Sequence, residues 1–128
     1  MGRKILADTD VMIDYLRGHA QAVALLKMNA SDVILSAITV AELYAGVRDG
    51  SEREVLDNLI SIFTIIPVTP QSARAAGLLK RDYGKSHGTG LADAMIAVAA
   101  QTQNARLCTL NTKHYPMLSG IKPAYTKR

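Results

Sequence analysis

The segment KILADTDVMIDYL, residues 4–16, crowds three carboxylates, Asp8, Asp10 and Asp14, behind the apolar run Ile5-Leu6-Ala7. Like charges this close repel unless a cation, a proton or hydrogen-bond donors offset them. Two further acids interrupt apolar surroundings. Glu42 lies within SAITVAELYAGV, residues 36–47, and Asp93 within GLADAMIAVAA, residues 90–100, where it shares a helical face with Ile96, Ala97 and Ala100. A carboxylate on such a face needs a partner, either its own helix N-terminus or a divalent cation. Mg²⁺ and Mn²⁺ are hard ions that prefer oxygen ligands, so acids spread in this way suit them.

Each acid also has a structural alternative. Asp8 suits a helix N-cap, yet Thr9 and Asp10 are better placed for that task, which leaves Asp8 free at the end of the first strand. Thr39-Val40-Ala41-Glu42 spells a capping box; a helix that starts at Ser36 instead brings Glu42 into the second turn of an apolar face. Asp14 has Arg17 one turn on and reads as structural. Asn111, in TLNTKHY, is a turn residue or an oxygen ligand. Other chemistries lack support. His19, His87 and His114 are scattered, Cys108 has no partner at ligand spacing, no Ser or Cys sits in a nucleophile elbow, and HGTG lacks the Walker order.

The elements that must position these acids follow from periodicity. Ile5–Ala7, Val33–Leu35, Thr64–Val68 (frayed by Pro67) and Arg106–Leu110 read as strands, with a short edge strand expected at Pro123–Tyr125. Helices are expected over Val11–Arg17, Ala20–Met28, Val40–Val47, Ser51–Ile62, Pro70–Tyr83 and Leu91–Gln103, with Gly18 and Gly84 as stops. Short apolar strands alternating with helices predict an α/β fold, a three-layer α/β/α sandwich around a parallel sheet of four to five strands. Such sheets bind ligands beyond the carboxyl ends of their strands, where Asp8, Ser36–Glu42 and Asn111 fall.

With 128 residues, 48% of them hydrophobic, the chain is expected to form one domain, 1–128. Fifteen basic against eleven acidic side chains give a charge of +4, a mild bias toward polyanions. A single cysteine excludes an internal disulfide and suits the cytoplasm, and no signal peptide or membrane span is visible.

LADTDVMIDYLRG at 6–18, SAITVAELYAGV at 36–47, HGTGLADAMIAVAA at 87–100 and TLNTKHY at 109–115 together resemble the PIN domains of type II toxin-antitoxin modules, the VapC ribonuclease toxins. The resemblance implies a metal-dependent endoribonuclease that uses Mg²⁺ or Mn²⁺, is usually dimeric and is held inactive by a cognate antitoxin. Asp8, Glu42 and Asp93 match the family's acidic site as catalytic and metal-binding residues. Asn111 stands where members often carry a fourth acid, and Asp10 where a small Ser or Asn is commoner, so Asp10 either replaces that acid or caps the helix beside Thr9.

Lys80, Arg81, Lys85, His87 and Lys113 flank the glycine loop and the last strand and are candidates for RNA-backbone contacts. Two other readings remain open from the residues. One is a noncatalytic PIN-like RNA-binding or interaction domain. The other is a phosphatase of the haloacid dehalogenase type, in which Asp8-Thr9-Asp10 would begin the motif and Asp8 would be the nucleophile.

Overall fold

The computed structural model describes residues 3–127. Three-residue apolar runs form strands because both faces of the sheet are covered and every position is either buried or hydrogen-bonded to a neighbouring strand. The elements are β1 (Ile5–Ala7), α1 (Thr9–Leu16), α2 (Ala20–Met28), β2 (Val33–Ser36), α3 (Ala37–Ala45), α4 (Ser51–Ile60), β3 (Thr64–Ile66), α5 (Pro70–His87), α6 (Leu91–Thr102) and β4 (Arg106–Cys108). Short 3₁₀ turns cover Ala30–Asp32 and Thr112–His114.

The sheet has four strands in the order β3-β2-β1-β4, all pairs parallel, with Ile5 opposite Val33 on one side and Arg106 on the other. The chain therefore runs outward from β1 to β3 and then returns to the other side of β1. That reversal opens a crevice at the carboxyl ends of β1 and β4.

Leu6, Ile34 and Leu107 pack on Ile96, Ala97 and Ala100 of α6, and small residues let α5 approach behind it, with Ala76 against Ala94 and Val98. On the opposite face Ala7, Val33 and Leu35 meet Val11 and Met12 of α1, Leu26 of α2, Leu43 of α3 and Leu56 of α4. The three-layer expectation holds, with four strands.

Several boundaries differ from the sequence reading. Helix α5 runs through Gly84 to His87, because its packing on α6 outweighs the roughly 1 kcal/mol that a glycine costs a helix. It ends at Gly88, whose φ of +67° lies in the left-handed region that glycine supplies cheaply. Helix α3 is capped by Ser36, whose Oγ accepts the Ile38 N–H at 3.1 Å, while Thr39 is fully buried. Strand β3 stops before Pro67, which has no N–H to donate, and β4 stops at Cys108.

The expected edge strand at Pro123–Tyr125 does not form. That segment instead docks as coil through one backbone bond, from the Ala124 N–H to the Thr109 carbonyl at 2.9 Å. Its side chains reach α1. Tyr125 donates to Asp14 Oδ2 at 2.7 Å, Lys127 Nζ to Asp14 Oδ1 at 2.9 Å, and the Tyr125 ring stacks on His19 at 5.3 Å.

Asp14 is thus structural, but its partners come from the tail and not from Arg17. The Tyr125 hydroxyl, followed by Lys127, holds its carboxyl below the usual 3.8. A depressed folded value means that this contribution is complete above the ordinary carboxylate range and is lost as pH falls through the depressed value. Asp14→Ala is expected to cost about 1–3 kcal/mol at pH 7 by thermal unfolding, with the tail cut faster by protease. The difference from the parent should close in strong acid.

Candidate functional site

Asp8 follows β1 directly, and its backbone N–H continues the ladder to the Cys108 carbonyl at 2.9 Å. Asp8 is buried, 5% exposed. Oδ1 accepts the Thr9 N–H at 2.7 Å, so Asp8 itself caps α1, contrary to the expectation that Thr9 or Asp10 would. Oδ2 accepts the Thr109 hydroxyl at 2.8 Å and the Tyr115 hydroxyl at 2.8 Å. Burial first, then the neighbouring Asp10 charge, push the Asp8 carboxyl above its usual 3.8 despite those three donors.

Asp10 is turned toward the end of β4. Its Oδ1 accepts the Val11 N–H at 2.7 Å and its Oδ2 the Leu110 N–H at 2.8 Å, with the Asn111 amide at 3.4 Å. Burial raises its carboxyl as well. Asn111 is exposed and leads into the 3₁₀ turn, so it acts as a turn residue whose amide also faces Asp10.

Asp93 occupies the first turn of α6. Its Oδ2 accepts the Gly90 N–H at 2.8 Å, so the helix N-terminus satisfies part of its charge. The rest faces the residues after β4, with His114 Nδ1 3.4 Å from Oδ2 and the Tyr115 hydroxyl 3.4 Å from Oδ1. Thr89 fixes this corner by donating to the His114 carbonyl at 2.7 Å. Tyr115, fully buried, therefore stands between Asp8 and Asp93, and burial and both carboxylates push its hydroxyl well above the usual tyrosine range.

Glu42 lies in the second turn of α3, the alternative that a Ser36 start implied, but its side chain is exposed. It joins the others through Thr9, whose hydroxyl donates to Glu42 Oε1 at 2.6 Å and lies 3.2 Å from Thr39 Oγ1. Lys80, Arg81, Lys85, His87 and Lys113 are all exposed, and Arg81 pairs with Asp82 at 2.9 Å. His87 and Lys113 belong to the two segments that meet beside Asp93, whereas Lys80, Arg81 and Lys85 line α5.

Thr109, His114 and Tyr115 were not singled out from sequence as site residues. The one available signal was their place in TLNTKHY, immediately beyond the last strand.

The donor chemistry fits a hard cation. Asp8, Asp10 and Asp93 offer only oxygens, and no Lys or Arg among the described residues pairs with Asp8 or Asp10. The fit is partial: among the described residues no three His, Cys, Asp or Glu side chains already converge as a cage. Asp8 and Asp93 are joined by a hydroxyl, and Glu42 is linked to Asp8 through Thr9.

The sequence profile of the PIN domain family matches residues 5–116. Ribonuclease VapC10 of Mycobacterium tuberculosis is 40% identical over 124 residues, which span 94% of this chain and 92% of that protein. Ribonuclease VapC19 of the same species is 37% identical, with 94% and 98% covered. Among solved structures, FitAcB from Neisseria gonorrhoeae superposes with a TM-score of 0.69 at 32% identity over 87% of this chain and 90% of that one. A toxin-antitoxin complex from Klebsiella pneumoniae reaches 0.82 at 26% identity, covering 95% and 98%.

The hydrogen bonds separate the two adjacent acids. Asp10 accepts a backbone N–H on each oxygen, so Asp10→Asn turns an amide donor toward a donor and is expected to cost about 1–3 kcal/mol. Asp8→Asn keeps an oxygen for the Thr9 N–H and turns its amide to two hydroxyls that can accept. The raised Asp8 value means that its ionised form costs stability, a penalty absent below the ordinary 3.8 and complete above the raised value. In metal-free buffer, Asp8→Asn is therefore expected to be more stable than the parent at pH 7.5, with the gain shrinking toward zero near pH 4, by calorimetry.

Proposed function

The chain belongs to the PIN domain family, and on that premise we propose that its 128 residues act as one domain, a metal-dependent endoribonuclease. We assign it as the toxin of a type II toxin-antitoxin module, cytoplasmic and working as a homodimer. The observation that carries this reading is the set of oxygen-only acids at the chain-reversal crevice, a buried Asp8 beside a half-buried Asp10 and joined through Tyr115 to a half-buried Asp93. The ribonuclease names of the relatives support it.

Asp8, Asp93 and Glu42 would hold Mg²⁺ or Mn²⁺, with Asn111 beside them and Thr9 and Asp10 in supporting positions. Such an ion supplies an acidified water and offsets charge developing on the scissile phosphate. The chain's residues do the rest. Thr9 keeps Glu42 turned toward α1, the Gly90 N–H fixes the Asp93 carboxylate, and one of the acids takes the proton from water. Products would carry 5′-phosphate and 3′-hydroxyl ends, by analogy with the family. His87 and Lys113, beside Asp93, are the best placed of the basic candidates to meet the RNA backbone; Lys80, Arg81 and Lys85 extend that surface along α5.

The exposed apolar side chains Ile13, Leu16 and Val55 border a groove between α1, α3 and α4, with Arg17, Arg48 and Glu42 at its walls. An amphipathic antitoxin segment suits that mixture, and the groove reaches the acidic site through Glu42. The superposition on a toxin-antitoxin complex from Klebsiella pneumoniae supports an antitoxin partner.

The phosphatase reading asks Asp8 to be a nucleophile. Oδ2 accepts two hydroxyls, Oδ1 accepts the Thr9 N–H and the residue is 5% exposed, surroundings that hold the carboxylate in place and shield it from in-line attack. The noncatalytic reading rests on Asn111 in place of an acid.

Incubation of the purified chain with a pool of structured RNAs separates them. Discrete cleavage is expected with Mg²⁺ or Mn²⁺, none with chelator, and at least a hundredfold less with Asp93→Asn, about 2.7 kcal/mol at the transition state. Sequenced ends check the products. Metal-independent cleavage, or cleavage unchanged in Asp93→Asn, would overturn the assignment.

A further inference from the structure

The hydroxyls of Tyr115 and Thr109 share an arrangement to which the ribonuclease reading gives no role in metal binding. Each donates to Asp8 Oδ2 at 2.8 Å, and each has one other carboxylate within reach at 3.4 Å. For Tyr115 the second acceptor is Asp93 Oδ1; for Thr109 it is Asp10 Oδ2. A hydroxyl has one proton and serves one acceptor fully at a time.

Two donors also fill the lone pairs of Asp8 Oδ2, whereas Oδ1 receives one. Thr109 Oγ1 accepts the Asn111 N–H at 3.1 Å, which occupies one of its two lone pairs and leaves the proton to the carboxylates. Both side chains are fully buried, so water does not substitute for either donor.

We infer that Tyr115 and Thr109 are positioning residues whose hydroxyl protons hold Asp8 Oδ2 in the metal-free protein and turn to Asp93 and Asp10 when a divalent cation takes that oxygen. The inference rests on the metal-dependent reading above and concerns this chain's own donors. In the metal-free state the two protons stand in for positive charge between acids that would otherwise face one another. The cation must displace them, and the second acceptors return part of what the displaced bonds lose. The longer 3.4 Å contacts mean that the return is incomplete, so the two hydroxyls lower metal affinity while they stabilise the empty site.

The test is Mn²⁺ affinity by titration calorimetry on the metal-stripped chain, beside thermal unfolding without metal. Tyr115→Phe removes only the hydroxyl and is expected to bind Mn²⁺ about 3- to 20-fold more tightly than the parent, while its metal-free Tm falls. Thr109→Val, should the first variant not fold, is expected to shift affinity in the same direction.

A Tyr115 hydroxyl that serves only the stability of the fold would lower Tm in Tyr115→Phe and leave Mn²⁺ affinity unchanged, against the inference. Unchanged or weaker binding in both variants, with Asp8→Asn abolishing it, would overturn the inference and spare the metal site. Failure of the parent chain to bind Mn²⁺ at all would overturn both.

Discussion

The Asp8 carboxylate is the constraint on which the rest of this structure turns. It closes β1, caps α1, and draws Thr109 and Tyr115 from a segment about a hundred residues away in sequence into the centre of the fold. Burial makes that carboxylate expensive to ionise, and Asp10 adds repulsion, so the donors around it are a condition of folding as much as of chemistry. The parallel order β3-β2-β1-β4 follows the same logic, since only a β4 placed next to β1 brings Thr109 within reach.

What could be read from the sequence was what local pattern encodes. Strand starts, the helix opened by Asp93 and the strand-end placement of Asp8 depend on neighbours a few residues apart, and they stand. The resemblance carried by four short segments pointed to the PIN family, which the profile match and the relatives bear out. The cap of α1 is Asp8 and not the locally better placed Thr9 or Asp10, because Asp8 accepts the Thr9 N–H while Asp10 is turned to Leu110 and Asn111 beyond β4, contacts that local sequence does not encode. Gly84 reads as a helix stop because propensity weighs one residue, whereas the eighteen-residue helix α5 is held by Ala75, Ala76 and Leu79 packing on α6.

The site residues that sequence did not offer, Tyr115, Thr109 and His114, share a single cause. Tyr and Thr carry no charge that looks out of place in an apolar stretch, and a histidine without spaced partners gives no ligand pattern. Their meaning arises only when the segment after β4 folds against β1 and α6. Asp14 is the complementary case: it was legible as structural, yet its partners Tyr125 and Lys127 lie in a tail that reads as loop.

Thr109 belongs to two structures at once. Its carbonyl receives the Ala124 N–H from the tail while its hydroxyl serves Asp8, and the tail is held from its other side by Asp14 of α1. The C-terminal coil is therefore mechanically continuous with the acidic crevice. Drift at Ala124, Tyr125 or Lys127 is felt at the acids through one threonine, and relatives that diverge in this segment are expected to differ in how their empty sites are held together before they differ in the acids themselves.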